Sequence, residues 1–332
     1  MPNEMPTLPI PAFAALILGF LFLRLWVVRG TVSPLGLLLA LCALQSLIIA
    51  LAQHYGVPGM RIVQPITATF LAPAAWLAYV ATAVRPFRRL DLWHALLPLV
   101  AIAVLISVPQ LLDVFLPLLF VAYGAAILIQ SLKGPDAQPQ SFLANGDLPS
   151  RIWLVIGLAL IASALSDILI FAAQHAGLSH WRPWIISLFT SGNLLLVGLF
   201  SLSSQLQGET PEASAPTGEV AEPDAEVWQS IQSYMSEHRP YLDPDLTLAR
   251  LSRKLGIPAK TISATINRAT GDNVSRFVNA ARIEAAQMAL LNGESITSAM
   301  LASGFNTKSN FNREFLRVTG LSPSKWVADQ ST

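Results

Sequence analysis

Charged side chains are scarce in this sequence. They make up 12% of its 332 residues, against about 25% in soluble domains, while hydrophobic residues make up 53%. The shortage is greatest in residues 1–206, which hold only nine basic and six acidic side chains. This composition excludes an ordinary soluble globule for the first two thirds of the chain.

Cysteine and catalytic motifs are nearly absent as well. The single cysteine, Cys42, excludes a disulfide framework and a cysteine zinc cluster. No phosphate-binding P-loop, HExxH zinc motif or GxSxG nucleophile elbow occurs, and no nucleophile–base pair or metal-ligand spacing is visible. We therefore predict that the protein is not an enzyme and has no catalytic residue, no metal site and no cofactor.

Residues 1–206 consist instead of successive apolar runs. About 20 apolar residues cross the hydrocarbon core of a bilayer. Runs near that length lie at Pro9–Val28, Pro34–Ala52, Ile62–Val84, Leu92–Val108, Leu111–Leu132, Ile152–Ala173 and Pro183–Leu206. The segment before the first run has no basic residue and carries Glu4, which favours a retained span over a cleaved signal peptide. The sequence thus predicts seven transmembrane helices.

Lys and Arg residues are unevenly divided among the predicted loops. The loops after the first, third and fifth spans, with the residues bordering them, contain Arg24, Arg29, Arg85, Arg88, Arg89, Lys133 and Arg151. The amino terminus and the other loops contain only Arg61 and Arg182. Because cytoplasmic loops are enriched in basic residues, we predict that the amino terminus lies outside and the carboxy-terminal part lies in the cytoplasm.

A few polar side chains fall within the predicted spans, and Asp167 is the deepest acid among them. Ionisable groups at membrane depth are costly and often functional. Asp167 and Asn193 are therefore candidates for intramembrane sensing of a ligand or ion. Alternatively, Asp167 pairs with Ser163, Asn193 or a backbone group and holds helices together. The sequence leaves both interpretations open.

Residues 207–226, QGETPEASAPTGEVAEPDAE, carry six acidic and no basic side chains. A segment with so few large apolar residues cannot offset the entropy of ordering by burying surface. We predict a disordered acidic linker that acts as a spacer. Autoinhibition of a basic surface is an alternative role for it.

From residue 227 to about 328, amphipathic helices of ordinary length replace the apolar runs. Apolar residues recur at helical spacing from Leu248 to Leu255, Gly256 ends that helix, and Pro258 opens the next. Two helices joined by a short turn with glycine predict a helix-turn-helix unit.

A second unit of the same shape follows. It has a short helix at 296–303, a turn at Gly304-Phe305 and a helix at 307–318, and Val274–Leu291 is predicted to form one long helix between the units. Residues 227–332 hold twelve basic and eight acidic side chains, a net charge of +4. Two such units in a basic segment indicate nucleic-acid binding.

The spacing of the two units suits DNA. The linking helix of 18 residues spans about 27 Å at 1.5 Å per residue, and one DNA turn is about 34 Å. One chain could place residues 259–269 and 307–318 in successive major-groove segments, with basic groups on phosphates and polar side chains on base edges. The predicted DNA-binding residues are Lys260, Thr261, Ser263, Ala264, Asn267, Arg268, Thr307, Lys308, Ser309, Asn312, Arg313 and Arg317.

This segment resembles the DNA-binding domain of the AraC/XylS family of bacterial transcription regulators. The resemblance covers about residues 227–327 and is carried by LTLARLSRKLGIPAKTISATINRATG, FVNAARIEAAQMALL and SITSAMLASGFNTKSNFNREFLRVTGLSPSKW. It implies a double helix-turn-helix activator that contacts RNA polymerase. The recognition positions that it implies are Lys260, Ser263, Ala264, Ser309 and Arg313. The whole architecture looks like the subgroup with a multi-span sensor half, which implies the bacterial inner membrane.

The sequence departs from the family pattern at a few positions. The second unit has Ala299-Met300 where a small residue usually follows an apolar one, and Ser303 occupies an apolar position. The terminal Tyr-Arg of the family is Trp326-Val327 here, and Ala264 stands where a polar residue is frequent.

Together these features predict an all-α protein: a seven-helix transmembrane bundle (1–206), a linker (207–226) and a soluble AraC-type double helix-turn-helix domain (227–328). The predicted function is a membrane-tethered, sequence-specific transcription regulator that responds to a membrane or envelope signal. The alternatives are a receptor whose helical cytoplasmic domain binds a protein partner and a transporter with an appended regulatory domain. Predicted partners are double-stranded DNA, the lipid bilayer, RNA polymerase and an unidentified signal ligand. A homodimer is compatible with the sequence, which shows no clear dimer seam.

Overall fold

The computed structural model describes residues 9–178, 181–186, 189, 191–201 and 225–330. These residues form helices and connecting turns, and the only β-type pairing among them is an isolated bridge between Phe142 and Thr247. The chain divides into two compact units. Unit 1 comprises residues 1–81, 87–132 and 151–206, and unit 2 comprises residues 82–86, 133–150 and 207–332.

Unit 1 is built from apolar helices. They are α1 (Ile10–Arg29), α2 (Pro34–Ile49), α3 (Met60–Ala68), α4 (Leu71–Tyr79), α5 (Leu97–Ser107), α6 (Leu112–Leu132), α7 (Leu148–His175), α8 (Arg182–Ile185) and α9 (Ser191–Ser201). Together with adjoining turns, the described residues give six continuous helical stretches long and apolar enough to cross a bilayer. These are Ile10–Val28, Pro34–His54, Met60–Val84, Arg89–Ser107, Pro109–Leu132 and Leu148–His175.

The predicted count of seven spans is not confirmed. Six predicted spans match these stretches, including the division near Pro109, where α5 has ended at Ser107. For the seventh, Pro183–Leu206, the described part of the chain includes the 11 residues of α9. Residues 187, 188, 190 and 202–206 of that predicted span lie outside the described residues.

Small residues allow close helix packing in unit 1. Gly124 of α6 and Gly157 of α7 face each other, and a β-carbon added at Gly124 would lie 2.8 Å from the carbonyl oxygen of Gly157. The reciprocal distance, from Gly157 to the Gly124 carbonyl, is 3.0 Å. Without a hydrophobic force between helices in lipid, such close backbone contact is a main source of association.

Unit 2 contains the carboxy-terminal helices. They are α10 (Ala225–His238), α11 (Leu248–Leu255), α12 (Ala259–Thr270), α13 (Val274–Leu291), α14 (Ile296–Ala302), α15 (Lys308–Thr319) and α16 (Pro323–Gln330). The predicted bounds of both helix-turn-helix units and of the long helix agree with the structure within about one residue. Most of the predicted linker, residues 207–224, lies outside the described residues, and its last two residues belong to α10.

Helix α13 joins two hydrophobic cores. Its first half contributes Val274 and Val278 to a core with α11 and α12, and its second half contributes Ile283 to a core with α14 and α15. In the second core, Phe305, Phe311, Phe315 and Trp326 form successive edge-to-face pairs with centroid distances of 5.4–5.9 Å. This geometry is favourable for aromatic rings.

Ala299, Met300, Ser303 and Trp326, where the sequence departs from the pattern that it resembles, lie in or beside this second core. Ala299 and Met300 are both buried, and the Ser303 hydroxyl donates to the Met300 carbonyl at 3.0 Å. Trp326 packs its ring against Phe315. The second helix-turn-helix unit therefore keeps a packed hydrophobic core at these positions.

A buried arginine ties the cores to the turn before α11. Arg282 is fully buried and donates from Nε to the carbonyl of Tyr241 at 2.6 Å and from Nη2 to that of Asp243 at 2.7 Å. Its guanidinium lies 5.6 Å from the centre of the Phe305 ring. Burial lowers the pKa of Arg282 to about 10, with nearby Asp243 acting to raise it, so the side chain stays charged at neutral pH.

Candidate nucleic-acid interface

Helix α12 separates buried from exposed side chains. Ile262 and Ile266 are fully buried, and Thr265 lies beside them. On the opposite side Lys260, Asn267 and Arg268 are exposed. The helix begins after Pro258 and ends at Gly271, whose left-handed conformation closes it. The exposed face thus presents one amide and two cations to solvent.

Helix α15 has a similar division. Phe311 and Phe315 fill the second core, while Lys308, Ser309, Asn312 and Arg317 are exposed. Glu314, which the sequence reasoning did not select, is only 7% exposed in its side chain and accepts from Nε of Arg313 at 3.3 Å and Nε of Arg317 at 2.8 Å. It therefore orients both guanidinium groups along the helix.

Three predicted residues have less accessible positions. Thr261 is 2% exposed and lies on the core side of α12. The hydroxyl of Thr307, at the start of α15, is buried without a hydrogen-bond partner in the described structure. Ala264 is half-buried. The side chain of Thr261 therefore does not reach the surface of α12.

Ser263 on α12 and Arg313 on α15 both contact residues 133–150. Asp136 accepts a hydrogen bond from the hydroxyl of Ser263 at 2.5 Å and another from the backbone N–H of Val274, the first residue of α13, at 3.3 Å. Burial raises the pKa of Asp136, these two hydrogen bonds act to lower it, and Asp147 acts to raise it. The carboxyl group is therefore partly desolvated where it meets α12.

The other end of this segment reaches α15. The guanidinium of Arg313 donates from Nη2 to the carbonyl of Asn145 at 3.2 Å, and Nδ2 of Asn310 donates to the Asn145 side chain at 3.3 Å. Asp147 accepts from Nη2 of Arg276 and from Nδ2 of Asn273, each at 3.3 Å. Residues 136–147 thus contact all three of the helices α12, α13 and α15.

Leu143 anchors the middle of the segment. It is 6% exposed and belongs to the first hydrophobic core. Its N–H donates to the carbonyl of Leu246 at 2.9 Å, and its own carbonyl accepts from Ser275 and Asn279. The sequence gave no signal that Leu143 belongs to this core. Periodic patterns indicate only which residues lie close together along the chain.

Asp167 lines a cavity in unit 1. The cavity measures about 300 Å³ and is lined by both apolar and polar side chains. Its polar lining comprises Gln45, Gln53, Arg61, Gln64, Asp113, Ser163, Asp167 and Gln174. Ser163 donates to the carbonyl of Ala159 rather than to Asp167. Within the described residues, the Asp167 carboxyl has no hydrogen-bond partner, so the structure does not display the helix-packing alternative.

Amide side chains organise one wall of the cavity. Nε2 of Gln53 donates to Oε1 of Gln64 at 2.7 Å, and the hydroxyl of Thr67 donates to Oε1 of Gln45 at 2.6 Å. Asn193, the other sensing candidate, has a buried Nδ2 without a partner in the described part of the chain. Asn193 does not line this cavity, and the structure does not bring it together with Asp167 by a hydrogen bond.

Among the described residues, no group of three or more His, Cys, Asp or Glu side chains could hold a metal ion. A sequence profile of the family described as a helix-turn-helix domain matches residues 251–329. No curated protein and no solved structure matches the chain. The match supports the assignment of residues 251–329 as a helix-turn-helix domain of the AraC type, and with it a DNA-binding transcription regulator.

Proposed function

We propose that the protein is a membrane-tethered, sequence-specific transcription regulator that reads DNA with α12 and α15. The observation that carries this proposal is the pair of matched helices, each with a buried apolar face and an exposed polar, cationic face, joined by the 18-residue α13. Lys260, Arg268, Lys308 and Arg317 suit phosphates, while Asn267, Ser309 and Asn312 suit base edges.

Arg313 is the side chain best suited to read a base. A guanidinium can donate two parallel hydrogen bonds to O6 and N7 of guanine, which is worth about 1–3 kcal/mol of discrimination. Glu314 already accepts from Nε of Arg313, and this contact does not use the two terminal nitrogens. Glu314 thus orients the guanidinium group of Arg313 without neutralising its positive charge completely.

Tethering is supported by the six apolar helical stretches in unit 1. The predicted topology is supported by the grouping of residues 82–86 and 133–150 with the helix-turn-helix domain in unit 2. Both segments lie in loops that the basic-residue rule assigns to the cytoplasm, where DNA is available. The localisation that we propose is the bacterial inner membrane, with the amino terminus outside.

The cavity around Asp167 is the proposed sensing site. In the proposed topology, Gln53, Arg61, Asp113 and Gln174 fall at the outer ends of their spans, and Asp167 lies about two turns deeper along α7. The cavity wall includes parts of α6 and α7. A small polar ligand arriving from outside would therefore contact both helices.

The experiment is selection of duplex DNA from a random-sequence pool by the full chain in lipid nanodiscs. We expect enrichment of a defined motif, and we expect Lys308→Ala combined with Arg313→Ala to abolish the enrichment. Lys325→Ala removes an exposed cation of α16 and serves as the control. This variant should still enrich the motif. Failure to enrich any motif, or enrichment that survives the double substitution, would contradict the proposal.

A further inference from the structure

The segment between α6 and α7 contacts both helices that we assign to DNA, α12 and α15, and the helix α13 that joins them. Asp136 meets Ser263 on α12, the carbonyl of Asn145 meets Arg313 on α15, and Asp147 meets Arg276 on α13. More than 120 positions separate each of these pairs in sequence. Contacts of this range across three helices are a specific docked arrangement.

The donors that hold this segment are the kinds that bind nucleic-acid phosphates. Proteins contact phosphate oxygens with hydroxyl groups, backbone N–H groups at helix starts, and Arg or Asn side chains. The two carboxylates of the segment occupy one example of each: the Ser263 hydroxyl, the Val274 N–H, and the Arg276 and Asn273 side chains. Asp136 and Asp147 thus place negative charge where a DNA backbone would place it.

The segment also occupies the base-reading arginine. Gly146 lies against the guanidinium of Arg313, and a β-carbon at Gly146 would be 3.0 Å from Nη2. Gly146 has a φ of +62°, which L side chains rarely adopt. With Nη2 bound to the Asn145 carbonyl, Arg313 cannot offer both terminal nitrogens to a guanine.

We propose that residues 134–147 are an internal competitor of DNA that keeps the reading face of α12 and α15 closed until it is displaced. This inference rests on the proposed function, since it assumes that this face binds DNA. The polar ends around Asp136 and Asp147 exchange with phosphate, while Leu143 stays anchored in the first core. Exposure of the reading face then requires only that the polar contacts of the segment change.

The connectivity of the chain suggests how a signal reaches residues 134–147. The segment starts directly after α6, which ends at Leu132, and α7 starts at Leu148. The same two helices form part of the wall of the Asp167 cavity. A shift of either helix on ligand binding therefore moves an end of the competitor segment.

The test compares the full chain in nanodiscs with two double variants that change its net charge equally. Asp136→Ala/Asp147→Ala removes the competing carboxylates, whereas Glu237→Ala/Glu284→Ala removes exposed acids of α10 and α13. The probe is fluorescent random-sequence duplex DNA at low salt. We expect the first variant to bind at least about tenfold more tightly than the second, an effect of about 1.4 kcal/mol.

Equal affinities of the two variants would overturn the proposal that residues 134–147 compete with DNA, while leaving the proposed DNA binding intact. If neither the parent nor any variant bound duplex DNA, the proposed function would fail and the inference with it. Thermal melting establishes that each variant folds. Should the first variant melt early, Asp147→Lys against Glu237→Lys gives the same comparison at partly exposed positions.

Hydrogen–deuterium exchange supplies an independent readout. If DNA displaces the polar ends of the segment, saturating duplex DNA speeds amide exchange in residues 134–147 of the parent chain. Unchanged or slower exchange there, with DNA bound, would show that the segment is a fixed part of the domain and would overturn the inference.

Discussion

Nε of Arg282 donates to the carbonyl oxygen of Tyr241 at 2.6 Å, across 41 positions of sequence. The same guanidinium reaches the carbonyl of Asp243 and lies against Phe305. Arg282 itself is fully buried, while both carbonyls belong to the turn before α11. This one side chain therefore fixes the turn before α11 against both cores of the DNA-binding domain.

Arg282→Met should destabilise that domain by about 2–3 kcal/mol, because two backbone carbonyls of the turn lose their charged donor. Arg268→Met, on the exposed face of α12, should change the unfolding free energy by less than about 0.5 kcal/mol. Pulse proteolysis in urea of the full chain in detergent micelles measures both. Equal stability of the two variants would contradict the assigned role of Arg282.

Gly304 is a second point of close contact with this turn. It has a φ of +86°, and a β-carbon there would lie 2.5 Å from the Tyr241 carbonyl oxygen and 2.8 Å from that of Leu242. Gly304→Ala should therefore cost more than Gly320→Ala, which has a φ of +74° but open space around it. The backbone conformation alone costs about 1–2 kcal/mol, and the same proteolysis assay should show a clearly larger loss for Gly304→Ala.

In unit 1, Gly124→Val should break the contact between α6 and α7, since even a β-carbon would press on the Gly157 backbone. Gly19→Val, in α1, is the matched control because nothing lies within 4 Å of its β-carbon position. Thermal aggregation of the chain in detergent should begin at a lower temperature for Gly124→Val only. If both variants began to aggregate at the same temperature, the packing of α6 against α7 would not depend on the close contact between Gly124 and Gly157.

Salt dependence separates phosphate binding from base reading. Removing a side chain that neutralises one phosphate should reduce the slope of log affinity against log salt by about 0.9. We expect this reduction for Lys260→Ala and for Lys308→Ala, whose side chains are exposed at the starts of α12 and α15. Lys325→Ala should leave the slope unchanged, and a slope insensitive to the first two substitutions would remove these lysines from the interface.

The helices of unit 2 could be predicted because their signals are local. Gly256, Pro258, Gly304 and Gly320 mark ends of elements, and the apolar spacing of Ile262 and Ile266 shows which side is buried. The buried position of Thr261, one of the predicted DNA-binding residues, has a local reason too. At 100° per residue it falls on the core side next to Ile262, as Thr265 does next to Ile266.

The contacts of residues 133–150 could not be predicted from local patterns. Asp136 and Asp147 were visible only as two of six acids in residues 1–206. Their partners lie 127 and 129 positions away, at Ser263 and Arg276. The seventh span, Pro183–Leu206, stays a prediction, because residues 187, 188, 190 and 202–206 lie outside the described residues.

The most direct test of DNA reading is hydroxyl-radical footprinting of the selected duplex with the full chain in nanodiscs. If α12 and α15 enter successive major-groove segments, protection should appear at two sites on one face, about one helical turn apart. Arg313→Ala should weaken protection at one site more than at the other. Protection at a single site, or none above that on random DNA, would contradict the account.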